Sequence, residues 1–333
     1  MKEALFPVRY TQLHPDALKK ELAARYEWKE PIECRLFDSG INDIYVVSAG
    51  DKRCFLRVAL TGRYERKDYE EEVAIINTLS DQGIPVAKPI RCKDSSLLWE
   101  IHAPEGIRHA ILFAEAKHAP SEDKAKQAHQ LGSTLAQLHA IADEQTFTVS
   151  RPAIDLQQLI EEPLKKVKPY FERRSSDYLY FKNAAEQLGR AVERKLGYEM
   201  PYYGYCHGDI HGGNVHFVQE QPVLFDFDCM GYGWRAYDIC VFAWNETFGD
   251  EAYVQSEAWT AFLSGYLSVR PLSKMEVESI PAFAALRDLW LMSLHADVIE
   301  RNAGCSWYND GYLDYRLRIF KLWYERAAAF LTD

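Results

Sequence analysis

Residues 205–217 read Tyr-Cys-His-Gly-Asp-Ile-His-Gly-Gly-Asn-Val-His-Phe, and Leu224-Phe225-Asp226-Phe227-Asp228 follows. The chemistry-bearing side chains are Asp209, then Asn214, then Asp226, with Gln219-Glu220-Gln221 between the last two. Moving a phosphoryl group from ATP to a hydroxyl calls for such a set. One carboxylate accepts the proton of the attacking hydroxyl. An amide oxygen and a second carboxylate hold Mg²⁺ against the phosphates. Asp209 fits the first role; Asn214 and Asp226 fit the second. If Gln219–Gln221 is the tip of a two-strand hairpin, its ends come together and Asn214 and Asp226 converge on one ion. Alone, either half of the motif reads as a Gly-rich surface turn or a buried strand. Both halves at this spacing are far more specific. A zinc pair at His207 and His211 is the competing reading. Such i, i+4 pairs sit on helices, and Gly208, Gly212 and Gly213 oppose a helix.

The elements that must position these residues are of two kinds. Up to residue 115, short β-type runs alternate with helices. Residues 14–28 have helical character. Cys34–Asp38, Ile44–Ser48 and Cys54–Ala59 read as strands, the last two joined at Ala49-Gly50-Asp51. Residues 64–80 read as an amphipathic helix. Ser95–His102 and Arg108–Glu115 read as two more strands. From Ala119-Pro120 onward the pattern is helical: 121–142 with Ser121 as N-cap, then 155–173, 176–196, 235–248, 251–268, 274–303 and 312–331. Tyr203–His207, Val215–Val218 and Val223–Phe227 form a β-type island. The fold class expected is α+β, a β-rich N-terminal lobe over 1–115 and a mainly helical lobe with a small β insert over 116–333.

The order of short motifs resembles the aminoglycoside phosphotransferase/choline kinase-like family, with its bilobal protein-kinase-like fold. The pieces are Phe37–Tyr45, Phe55-Leu56-Arg57-Val58, Glu72–Ile76, Gly83–Ile90, Leu131–His139, the Asp209 segment, and Asp226–Asp238. The resemblance implies that Ser39, Gly40 and Asn42 belong to a loop over the ATP phosphates, in place of G-x-G-x-x-G. It places Arg57 where kinases carry the third-strand Lys, a fork where the usual group is a point charge. It makes Glu72 the helix partner of Arg57. Glu71 and Glu70 would point about 100° and 200° away around that helix. It gives the backbone of Phe113–Ala116, including Ala114 and Ala116, to adenine. It makes His207 and Asp238 scaffold residues of the catalytic turn. Asp228, where protein kinases have Gly, is a further metal ligand, an orienter of Asp226, or a solvated acid. The activity implied is ATP- and Mg²⁺-dependent phosphorylation of a small-molecule hydroxyl, on an amino alcohol such as homoserine or an aminoglycoside-like compound. A stress-type protein Ser/Thr kinase and a non-catalytic ATP-binding pseudokinase are the alternatives. Asp238 follows Asp228 by only ten positions, which leaves little room for a peptide-docking segment.

Composition bounds the partners. The net charge is −10, from 49 acids and 39 bases. Nucleic acid is a poor partner without clustered positive charge. No run of 18 uncharged residues suggests a membrane span. Seven cysteines without a C-x-x-C pair, and a start lacking a long apolar run, lead us to expect reduced thiols and a cytoplasmic protein. Residues 1–115 carry 17 bases and 19 acids, while residues 116–333 carry 22 and 30. That asymmetry suits solubility, or a cationic acceptor drawn to acids such as Asp228, Glu246, Asp297 and Glu300. Trp234, Trp244, Trp290, Trp307 and Tyr308 pack the helical lobe, or present rings to that cation. The oligomeric state is not readable from the sequence.

Overall fold

The computed structural model describes residues 6–247, 256–301 and 304–332. Its α+β chain divides into two compact units, residues 1–81 with 86–116 and residues 82–85 with 117–333.

The first unit contains α1 (Pro15–Arg25), β1 (Ile32–Ser39), β2 (Asn42–Ala49), β3 (Lys52–Ala59), α2 (Arg66–Asp81), β4 (Trp99–Ala103) and β5 (Gly106–Ala114). The strands form one antiparallel sheet in the order β1-β2-β3-β5-β4. Strand alternation sorts its side chains onto two faces. Cys54, Leu56 and Val58 of β3 join Ala110 and Leu112 of β5 in a cluster with Leu18, Leu22 and Tyr26 at α1. Ala59 and Ile111 join Tyr69 and Val73 of α2 in another. Arg57, between Leu56 and Val58, therefore faces the α2 side. The strand expected from Ser95 starts at Trp99. Ser95 takes a positive φ of 69°, and Ser96 N–H donates to Asp94 Oδ1 at 3.0 Å, so those residues form a turn.

The second unit contains β6 (Ala119–Pro120), α3 (Lys124–Glu144), α4 (Glu162–Val167), α5 (Ser175–Leu196), β7 (Tyr203–Cys206), β8 (Val215–Gln219), β9 (Gln221–Leu224), β10 (Gly231–Trp234), α6 (Arg235–Thr247), α7 (Glu257–Leu267), α8 (Lys274–Asp297), α9 (Asp310–Arg326) and α10 (Ala328–Leu331). The helix expected over 155–173 is broken into a π turn at Gln157–Glu161, α4, and a 3₁₀ turn at Lys168–Phe171. Pro163 and Pro169 lack the N–H that a continuous ladder needs. Asp123, not Ser121, caps α3: its Oδ1 accepts from Lys126 N–H at 2.9 Å. Ser121 Oγ accepts from Asp123 N–H instead, at 3.3 Å. Residues 248–255 and 302–303, within or beside two expected helices, lie outside the described residues.

Helices α3 and α7 meet backbone to backbone at two glycines. A Cβ on Gly132 would lie 2.0 Å from Phe262 O, and one on Gly265 would lie 1.9 Å from His129 O. Gly265→Ala must push the helices apart, and it will cost at least about 1–3 kcal/mol. A shift in thermal unfolding checks this; an unchanged midpoint would contradict the close approach.

All seven cysteines are free thiols. No helix among the described residues is long and apolar enough to cross a membrane.

Candidate active site

The turn His207–Asn214 runs from β7 to β8, and its first residues hang from the carboxylate of Asp238 on α6. Asp238 Oδ2 accepts from His207 N–H and Oδ1 from Gly208 N–H, both at 2.7 Å. His139 Nε2 reaches the same Oδ2 at 2.9 Å, and Tyr266 OH lies 2.8 Å from its Nδ1. Burial pushes the pKa of His139 well below its ordinary value, so the ring is neutral. A neutral ring carries one N–H. Burial pushes the Asp238 carboxyl up, against the His207 and Gly208 N–H groups that favour its charge; ionised, it accepts from Nε2, and Nδ1 accepts from Tyr266. Gly208 is required here: its φ is +84°, and a Cβ would lie 2.1 Å from Cys229 O. His207 is buried, with Nε2 at 3.2 Å from Phe225 O and its ring centroid 4.4 Å from that of Phe227. Its place is in the scaffold. His211 faces Asp209 instead, with Nε2 at 3.4 Å from Oδ2, so the two imidazoles do not form a zinc pair.

The structure joins Asn214 to Asp209 through its side chain, and to the segment that carries Asp226 through main chain. Asn214 Nδ2 donates to the carbonyl of Asp209 at 2.9 Å and to its Oδ2 at 3.0 Å. With the amide nitrogen turned to Asp209, the amide oxygen is the end left to meet a cation. Strands β8 and β9 pair antiparallel from Val215↔Leu224 to Val218↔Gln221. Phe225 N–H donates to Asn214 O at 3.1 Å, which sets Asp226 one residue beyond Asn214's partner. Asp226 has φ 60° and ψ 68°, a left-handed conformation that swings the chain out of the strand into Phe227–Cys229. Such conformations concentrate at functional sites. Arg151 Nη1 donates to the carbonyls of Phe227 and Asp228, at 2.9 and 3.0 Å, and fixes that turn. Asp228 is buried, which removes the reading as a solvated acid. Amide and carboxylate oxygens are the hard donors that Mg²⁺ takes, so this donor set fits the ion.

Sequence reasoning missed Arg287 of α8. Its Nη2 donates to Asp209 Oδ1, its Nη1 lies 3.3 Å from Tyr237 OH, and its guanidinium lies 5.0 and 5.4 Å from the ring centroids of Trp244 and Trp290. Of the five aromatic residues named for a cation, Trp244 and Trp290 face this guanidinium. Trp234 packs on Phe283, and Trp307 and Tyr308 pack on Tyr312. Burial opposes ionisation of Asp209, but the charge of Arg287 and the hydrogen bond to His211 outweigh it and hold the carboxyl well below its usual range. Of the acids named for a cationic acceptor, Asp297 is spent on Lys166 at the surface, at 2.6 Å. Glu246 and Glu300 are exposed.

In the first unit, Arg57 and Glu72 form a buried ion pair at 2.6 Å, with Arg57 5.2 Å from the Phe113 ring centroid. Ser39–Asp43 is a tight turn: Ser39 pairs with Asp43 across β1 and β2, and Gly40 N–H donates to Asn42 O at 3.0 Å. Asp43 anchors it from beneath, accepting from Ser39 Oγ at 2.9 Å and from buried Arg108 at 2.7 Å. Ala114 N–H is spent on Lys88 O at 2.8 Å, so a base could use only its carbonyl. Ala116 is buried at the end of that segment.

A family model described as the phosphotransferase enzyme family matches residues 33–272. The chain belongs to this family. An uncharacterised protein of Synechocystis is 32% identical over 301 residues, 89% of this chain and 81% of that protein. Amicoumacin kinase of Bacillus subtilis is 24% identical over 87% of each chain. Among solved structures, a microcompartment-associated aminopropanol kinase superposes with TM-score 0.78 at 19% identity, over 95% of this chain and 100% of that one. An amicoumacin kinase in complex with AMP-PNP, Ca²⁺ and its antibiotic superposes with TM-score 0.72 at 22% identity, over 92% and 93%. These likenesses show a kinase-like fold. The family match ends before α8, so Arg287 lies outside it.

Proposed function

We propose that the protein is an ATP- and Mg²⁺-dependent phosphotransferase acting on a hydroxyl of a small molecule, with an amino alcohol or an aminoglycoside-like compound as the acceptor class. Asp209 accepts the proton of that hydroxyl as its oxygen takes the phosphoryl group. Asn214 and Asp226 would hold Mg²⁺, with Asp228 as a further ligand or as an orienter of Asp226, and the ion would supply charge neutralisation at the phosphates. Arg57, kept in place by Glu72, binds phosphate oxygens. Ser39, Gly40 and Asn42 border the same phosphates, with the Gly40 N–H already given to Asn42 O. Ala114 and Ala116 border the adenine.

The observation that carries this reading is the hydrogen bond from Asn214 Nδ2 to Asp209 Oδ2. It orients the base and, through the same side chain, turns an amide oxygen toward the cation. Aminopropanol kinase and amicoumacin kinase among the similar proteins support a small hydroxyl-bearing acceptor.

Removing Asp226 separates metal from base. Asp226→Ala will weaken Mg²⁺·AMP-PNP binding by about tenfold or more and leave metal-free adenosine binding unchanged. Calorimetric titration of both ligands checks this. Equal losses for the two would remove Asp226 from the metal site.

A further inference from the structure

The Asp209 carboxylate is gripped at both oxygens by different elements. Oδ2 is held from the turn by Asn214 Nδ2 at 3.0 Å, with His211 nearby at 3.4 Å. Oδ1 is held by Arg287, which comes from α8, 78 residues away in sequence. A carboxylate held at one oxygen can rotate about its last torsion; held at both, it has one plane. Arg287 is itself immobilised, flanked by Trp244 of α6 and Trp290 of α8 and close to Tyr237 OH. Its side chain is 2% exposed, while that of Asp209 is 17% exposed. The guanidinium thus works from the protein side and leaves the carboxylate an open edge. A fork-shaped donor between aromatic faces fits this task better than a flexible ammonium.

We infer that Arg287 is a positioning residue for phosphoryl transfer: clamped by Trp244 and Trp290, it fixes the plane in which Asp209 receives the acceptor's proton. The inference rests on the reading of Asp209 as base. The competing role is structural, an arginine that merely neutralises a partly buried acid. Both roles lower stability when Arg287 is lost. Only the positioning role lowers the turnover of the protein that remains folded, and it does so through Asp209.

The test is a double-mutant cycle on the full chain. ADP release is followed with ATP and Mg²⁺, using 1-amino-2-propanol, homoserine or water, whichever gives the native protein most turnover. Arg287→Met is expected to lower kcat by about tenfold to a hundredfold, the scale of a misplaced catalytic group, with KM for ATP unchanged. Arg287→Lys should recover part of the loss. In an Asp209→Asn background, Arg287→Met should cost no further turnover. That double variant should also melt no lower than Arg287→Met alone, because no acid is left stranded. If Arg287→Met does not fold, Trp290→Leu loosens the clamp with the guanidinium in place, and its fall in kcat should likewise vanish in the Asp209→Asn background. Native kcat in folded Arg287→Met, or an equal fall in both backgrounds, would overturn the inference and leave Asp209 as base. Native turnover in Asp209→Asn would overturn the base assignment, and the inference with it.

Discussion

Asp209→Asn will lower turnover by about 10²–10⁴-fold, the usual contribution of a positioned general base. The carboxamide keeps the size of the side chain but cannot take the proton. Affinity for ATP, measured by titration with AMP-PNP, will hardly change, because Asp209 is assigned to the acceptor and not to the nucleotide. The variant also strands the Arg287 guanidinium, whose side chain is 2% exposed. Its kinetics are therefore compared well below its own melting temperature. A parallel loss of nucleotide affinity would move Asp209 from the acceptor to the phosphates.

Glu72→Ala will cost about 3–5 kcal/mol of stability, the penalty for leaving one member of a buried ion pair without its partner. The Arg57 and Glu72 side chains are 5% and 0% exposed, so water cannot replace the lost carboxylate. Nucleotide affinity should fall with it, since Arg57 loses the group that aims it. Glu70→Ala is the control two residues away. Glu70 pairs with Arg66 at the surface, at 2.7 Å, where such pairs contribute about 0–1 kcal/mol. Chemical denaturation of the two variants decides. Equal costs would mean that burial of the Arg57–Glu72 pair does not matter to the fold.

The elements that could be read from sequence are those whose partners are local or periodic. The resemblance pointed to Arg57 and a partner on α2, and the helical angle of α2 singled out Glu72 from three consecutive acids. The hairpin after residue 214 was legible because the β-type runs 215–218 and 223–227 flank a short polar tip. Arg287 was not, because nothing at position 287 announces that its partner is 78 residues earlier. Arg108 stayed hidden for the same reason, reaching Asp43 from 65 residues away. Strand β10 was not among the expected strands; the glycines at 231 and 233 give little β signal. They are there to admit Ile154: a Cβ on Gly233 would lie 2.7 Å from Ile154 Cβ. The acidic excess of residues 116–333 gave no sign that the charged group bonded to Asp209 Oδ1 is a guanidinium.

The most direct measurement is mass spectrometry of the acceptor. The purified protein is incubated with ATP, Mg²⁺ and a mixture of amino alcohols and aminoglycosides, and phosphorylated products and ADP are counted together. The account predicts a phosphate ester on one hydroxyl-bearing compound, formed in equal amount with ADP, dependent on Mg²⁺, and nearly absent with Asp209→Asn. Phosphate transferred to none of these compounds while ADP accumulates, or an ester formed as fast by Asp209→Asn as by the native protein, would contradict it.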